Sequence, residues 1–270
     1  MKNRLHFFLP VILVSALLLL LAGCAKPAMK PAATAAGPSM AGYAPEPREF
    51  AKPPAHERPG LATGWGENRQ SSVTMTQFSR RSKSSPDGLG CIYYNDQPGI
   101  QTMLASLNVK PMSCFAGLQP MGNNSLSVAL QGEDGHWLPA WNALGTYYVI
   151  GEKGQRYAIV VRNDTMGRLE IVLSVDGLDV LDGKTASYRK RGYILDPGQT
   201  YAIEGFRTGL NSVAAFRFSD VAQSYAAQKH DTTRNVGVIG VAVFKEKIKE
   251  VEKRKKAEPF PGTWATPPGD

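Results

Sequence analysis

The chain is poor in the residues that most often carry chemistry. It has three cysteines and four histidines in 270 residues. The cysteines form no C-x-x-C, and His56, His136 and His230 lie in different segments, so the ligand spacing of a zinc site is missing. Asp182-Gly183-Lys184-Thr185 ends like a phosphate-binding loop. The position five before Gly183 is Leu178 where that loop needs glycine, and the phosphate cradle is excluded. Ser187-Tyr188-Arg189-Lys190 has S-x-x-K spacing, but it and Lys184-Thr185-Ala186 are crowded into one strand and its turn, whereas serine-acylating enzymes carry such elements far apart on an α/β fold. Asp176, Asp179 and Asp182 stand three apart with apolar residues between, which fails the alternation of a calcium loop and reads as Asp-Gly turns around a short strand. No nucleophile can be matched to a histidine and a carboxylate. No catalytic residue, metal site or cofactor is assigned.

Long apolar runs are also scarce. The run from Phe7 to Leu21 has no second of its length after it. At about 15 residues it is shorter than the ~20 needed to cross a bilayer as a helix, and Pro10 interrupts it. Lys2 and Arg4 precede it as a positive n-region, and Leu21-Ala22-Gly23-Cys24 closes it with small residues before a cysteine. This segment resembles the signal peptide and lipobox of bacterial lipoprotein precursors. The resemblance implies cleavage after residue 23, a diacylglyceryl group on the Cys24 sulfur, and usually further acylation of the new N-terminus. Two or more acyl chains give stable residence on a lipid bilayer, which one chain does not. Ala25 follows Cys24 where an inner-membrane signal would carry Asp. By analogy with the sorting rule of enteric bacteria, that implies the outer membrane.

The formal charge is +8, and loss of residues 1–23 leaves 29 basic against 23 acidic side chains. For an exported chain this moderate excess favours anionic headgroups and wall polymers over nucleic acid, which is not expected as a partner. With Cys24 lipidated, Cys91 and Cys114 remain, an even pair that suits an oxidising compartment. A disulfide between them would close a loop of 22 intervening residues and contribute about 3 kcal/mol.

From Cys24 to Thr63 the chain is rich in Ala and Pro without apolar periodicity, and it reads as a disordered tether. Residues 64–124, rich in Ser, Gly, Asn and Pro, read as irregular structure pinned by the disulfide, with one apolar stretch at Ile100–Leu107. Beyond Ser125 a period of two takes over. Tyr157, Ile159 and Val161, then Leu169, Ile171, Leu173 and Val175, then Ala214, Phe216 and Phe218 each mark one face of a strand. Asn163-Asp164, Asp176-Gly177, Asp182-Gly183 and Asp196-Pro197-Gly198 punctuate them as turns. Val236–Phe244 is apolar on both faces, as a central strand is. The expectation is an all-β fold, a single β-sandwich of about seven to eight strands over 64–244, with an open barrel as the alternative. Residues 245–270 read as a charged and proline-rich tail. The Tyr147–Phe244 core, with Ser174-Val175-Asp176-Gly177 and Gly192-Tyr193, also resembles a β-rich bacterial module to which no activity attaches.

Two features suggest a binding surface. Trp137 and Trp141 lie in a loop-like stretch beside a strand, where exposed indoles could stack on sugars or anchor a partner. Between Asp220 and Asn235 the strand rhythm breaks into helix-forming residues, including Tyr225 and His230, with Asp220 or Ser219 available as cap. Loops cluster at the ends of a sandwich, so these residues are expected to share one surface. The expected role is that of a non-enzymatic envelope lipoprotein that binds an envelope protein partner. The competing class is a carbohydrate-binding module or hydrolase acting on cell-wall or surface polysaccharide, with a glycan as ligand.

Overall fold

The computed structural model describes residues 59–108 and 114–247. Cys24, the signal segment, the tether up to residue 58 and the tail from residue 248 lie outside them. In chain order the elements are β1 (Leu61–Gln70), β2 (Gly88–Asn95), α1 (Gln97–Ser106), β3 (Gln119–Met121), β4 (Leu126–Gly132), β5 (Ala140–Ala143) and β6 (Thr146–Ile150). There follow β7 (Arg156–Asn163), β8 (Leu169–Val175), β9 (Leu178–Asp179), β10 (Tyr193–Leu195), β11 (Thr200–Ile203), β12 (Gly205–Gly209) and β13 (Ser212–Asp220). A single 3-10 turn (Val221–Gln223), α2 (Tyr225–His230) and β14 (Val238–Lys245) complete them.

The strands form two seven-stranded sheets. The first runs β1-β13-β7-β4-β3, with β11 beside β7 and β12 beside β13; the second runs β10-β8-β14-β2-β6-β5, with β9 beside β8. Every strand pair is antiparallel except β2 with β6. The fold is the all-β sandwich that the alternation predicts, and it is not closed into a barrel. Tyr157, Ile159 and Val161 of β7, Leu169, Ile171, Leu173 and Val175 of β8, and Phe216 and Phe218 of β13 all enter one core between the sheets. β14 lies between β8 and β2, with Ile239, Val241 and Val243 facing that core and Ala242 and Phe244 buried on the far side.

Turn chemistry sets the joins. Asp176 and Gly177 have φ of 54° and 80° and link Val175 to Leu178 across a two-residue hairpin, the mirror-image turn that an Asp-Gly pair favours. The fully buried Asn163 side chain donates to the carbonyls of Gly167, Leu195 and Asp196. It thereby fastens the β7–β8 loop to the turn that carries the chain from the second sheet to the first.

Residues 64–124 are more regular than expected: they hold most of β1, all of β2 and β3, and α1. β2 escapes detection because its core-facing positions include Gly88 and Gly90. A Cβ on Gly90 would lie 2.1 Å from Cγ of Met121, and one on Gly88 would lie 2.3 Å from the Gly122 carbonyl, so close packing excludes the apolar side chains that announce a strand. α1 buries only Ile100 and Leu104 and is capped by Asp96, which accepts from the Gly99 N–H at 2.8 Å. Among the described residues strands number fourteen, against the seven or eight expected: β1 and β2 lie largely in the segment that reads as irregular, and β3, β5, β9, β10 and β11 have two to four residues each, too few to show a period.

Both domain boundaries shift. Leu61, Ala62 and Thr63, assigned to the tether by composition, are buried in β1. At the other end Lys245 completes β14, and Glu246 pairs with Arg168 and bridges to Arg80, so the sheet reaches into the expected tail.

The expected disulfide does not form; Cys91 is half-buried on β2 and Cys114 is exposed. Phe115 pairs with Ala140 of β5, and β5 is separated from β2 by β6. Three strand spacings of about 4.8 Å put the two cysteines roughly 14 Å apart, twice the reach of a disulfide.

Two expectations follow. A chain beginning at Pro59 folds, whereas one beginning at Gly64 loses the buried strand start and the bonds of Thr63, lowering the melting temperature by roughly 10 °C or more in a thermal melt. Alkylation under non-reducing conditions modifies Cys114 quickly and Cys91 slowly, since burial pushes the Cys91 thiol above its ordinary value and shields it. An intact-mass measurement showing a closed Cys91–Cys114 bridge would contradict this geometry.

Candidate functional site

The four residues expected to share a surface fall into two places. Trp141 lies on β5 and packs, partly buried, with Tyr93, Met103 and Ile150 around the cluster that α1 forms with Ile100, Leu104, Ala143 and Tyr148. Trp137 is also partly buried and bridges to Gln131 of β4. Neither indole is fully exposed, and Trp141 is packed against that cluster. Tyr225 and His230 lie on α2, whose neighbours are β1 and the preceding 3-10 turn. β4 and β1 are separated by β13 and β7 in the first sheet, and β5 belongs to the second, so the two groups sit apart. Among the described residues no ring contact joins Trp137 or Trp141 to Tyr225 or His230.

The indole that does meet Tyr225 is Trp65, inside the segment whose composition predicts irregular structure. It lies on β1 opposite Phe216, just before a register shift between Trp65 and Asn68. Its ring is 4.6 Å from Tyr225 and 6.1 Å from Phe206, nearly parallel to the latter, yet it keeps 49 % exposure. Phe206 is buried, 5.0 Å from Tyr225 and 5.1 Å from Phe216, so the exposed indole rests on a continuous aromatic stack reaching the core. α2 is held by Ser224, whose hydroxyl accepts from the Ala227 N–H; neither Ser219 nor Asp220 caps it. At its far end the His230 Nε2 lies 2.8 Å from the Gly183 carbonyl, and the ring meets Tyr225 edge-on at 5.8 Å. α2 also makes the crossover from the first sheet to the second. The only advance sign of Trp65 is its setting, an indole between Gly64 and Gly66.

Beneath this edge lies the most unusual polar group of the fold. Asp176 is buried, and its carboxylate accepts from Tyr94 O–H at 2.5 Å, Thr63 N–H at 2.7 Å and Gly237 N–H at 2.8 Å. The Thr63 hydroxyl also bonds the Tyr94 and Tyr157 hydroxyls, each at 2.7 Å. Every partner is neutral. Burial pushes the Asp176 carboxyl up to about 6, against the hydrogen bonds from Tyr94, Thr63 and Gly237 that pull it down. Burial and the negative neighbour raise the Tyr94 and Tyr157 phenols far above their ordinary range, so both remain protonated donors.

The other candidate carboxylates are committed to local structure. Asp179 accepts from the Leu181 and Asp182 N–H groups, and Asp182 pairs with Lys190 at 2.7 Å. Among the described residues no group of three or more His, Cys, Asp or Glu side chains could hold a metal ion. Comparison with known proteins finds no matching family model, no matching curated protein and no matching solved structure.

The raised carboxyl fixes the sign of a pH effect. Asp176 binds its proton more tightly in the fold than in the unfolded chain, whose aspartates titrate near 3.9. Stability from this group is therefore fully present below about pH 4, falls as the pH rises through about 6, and is then constant. The difference is about 3 kcal/mol. Urea midpoints measured from pH 4 to pH 8 should fall across that window in the wild type and lose this component in Asp176→Asn. Asp176→Ala, which orphans two backbone donors, should be less stable at every pH.

Proposed function

We propose that the protein is a lipid-anchored, non-enzymatic binding module of the bacterial cell envelope, held by acylated Cys24 and docking an envelope protein partner. The observation that carries the binding role is Trp65, half exposed on the Phe206–Tyr225 stack. A large apolar side chain with little remaining freedom loses little entropy on contact, and such indoles dominate the energetics of protein interfaces. The anchor rests on Leu21-Ala22-Gly23-Cys24 and its preceding apolar run. Outer-membrane residence follows from Ala25 on the same resemblance.

Radiolabelled palmitate should mark the wild type and vanish in Cys24→Ala; equal labelling of both rejects the anchor. Crosslinking in the native envelope should recover a stoichiometric protein partner. Trp65→Ala should weaken that capture by roughly 30-fold, the loss of 2 kcal/mol or more typical of an interface anchor, while the lost stacking lowers the melting temperature by several degrees and leaves the fold intact. Recovery of glycan fragments with no protein would favour the polysaccharide-binding class. Capture indifferent to Trp65→Ala would remove this surface from the proposal.

A further inference from the structure

The outer face of the first sheet contains a notch that topology creates. β7 changes neighbour at Ala158: Arg156 and Tyr157 pair with β13, while Ile159 to Arg162 pair with β11. The chain leaves β7 after Ile203 and joins β13 at Gly205, so Glu204 stands at the fork, its carbonyl accepting the Phe216 N–H at 2.9 Å. Neither strand pairs with Ala158 on that side, and a cavity of about 170 Å³ opens there, with Ala158 and Ala202 among its lining. Its rim is made by Arg69 with Glu204, by Arg156 with Glu133, and by Gln131, which pairs with Ala158 from β4.

We infer that this notch is a binding site for one uncharged polyhydroxylated ring, the vicinal-diol chemistry of a saccharide unit. The charges of the rim cancel in pairs. Arg69 Nη2 lies 3.2 Å from Glu204 Oε1, Arg156 Nη2 lies 3.5 Å from Glu133 Oε2, and Arg156 Nη1 donates to Glu67 at 2.9 Å. A ligand anion would face two carboxylates and a ligand cation two guanidinium groups, so the rim favours neither. It offers donors and acceptors side by side instead. Arg69 Nε is shut from solvent without an acceptor, and Glu204 Oε2 receives no hydrogen bond among the described residues. The Arg69 side chain is one-third exposed and holds Glu204 through a single bond, so it can turn Nε towards an incoming oxygen and gain a bond by doing so. A hydroxyl both donates and accepts, and two on adjacent carbons match an Arg–Glu pair. The volume is below the roughly 300–1,000 Å³ of drug-sized pockets, which suits a single ring rather than a length of polymer. The small floor residues leave the ring's faces unobstructed.

This site is separate from the Trp65 surface, and its test is arranged to keep the two apart. Saturation-transfer NMR on the full chain would use glucose, galactose, mannose and N-acetylglucosamine, with glucuronate and glucosamine as charged comparators. The expected result is transfer to at least one neutral sugar and weaker transfer to both charged ones. Ala202→Phe, which fills the notch from an exposed position, should abolish it, and Arg69→Lys, which keeps the charge but removes Nε, should weaken affinity about tenfold. Amide spectra of both variants report whether the fold is kept, and Trp65→Ala should leave sugar binding unchanged. The inference is overturned by silence from every neutral sugar, by a preference for glucuronate or glucosamine, or by binding that survives both notch variants in folded protein.

Discussion

One buried carboxylate holds together the parts of this fold that have least in common. Asp176 receives the N–H of Thr63 from β1, the hydroxyl of Tyr94 from β2 and the N–H of Gly237 at the approach to β14, while itself forming the β8–β9 turn. These belong to two sheets, and the farthest of them, Thr63, lies 113 residues from Asp176 in the chain. An aspartate without a counter-ion in such a place is unfavourable unless all its donors are in position together. Apolar contacts between the sheets have no preferred direction, whereas the hydrogen bonds of this cluster do, and the cluster therefore fixes the position of the edge strand on which Trp65 stands.

The two outer faces are treated differently. On the second sheet, α1 covers Tyr148 and Ala143, and at the opposite end Arg80 lies 3.8 Å over the Phe244 ring while pairing with the buried Glu170 at 2.6 Å. That face is closed by the chain's own segments. On the first sheet the cover is a lattice of side chains. Glu67 is held between Arg156 and Arg217, whose hydrogen bonds, at 2.9 and 2.7 Å, keep its carboxyl at about 2, and Arg162 pairs with Asp164. Charged side chains on a sheet deter unwanted strand pairing while leaving the surface open to ligands.

The sequence reveals most where burial alternates. β7, β8 and β13 show their core faces because Tyr157, Ile171, Phe216 and their neighbours repeat at every second position. β2 hides because two glycines replace the apolar signal, and β1 hides because an edge strand with Glu67, Asn68 and Gln70 exposed has no uniform face. The candidate site was legible only in part. Tyr225 and His230 were readable as a break in strand rhythm, but their partner Trp65 is distant in sequence, and nothing local links residue 65 to residue 225. Trp137 and Trp141 are conspicuous as aromatics, yet their setting is fixed by β4 and by α1, which no short window contains. Glu170 alternates with the core-facing residues of β8 and is nonetheless buried, paired with Arg80 ninety residues away.

The position of Thr63 has a mechanical consequence. Any pull on the chain N-terminal to Pro59 enters the fold at Leu61, the first residue of β1. The first bonds to carry that load are the Leu61 N–H to the Asn95 side chain at 2.8 Å and the Thr63 N–H to Asp176, followed by the ladder with β13 from Asp220 to Ser212. A charge-assisted bond in a dry interior is a stiff first link, because water cannot readily replace a partner there. Tension is thus delivered to both sheets at once through Tyr94 and Asp176, instead of peeling an edge strand away from one.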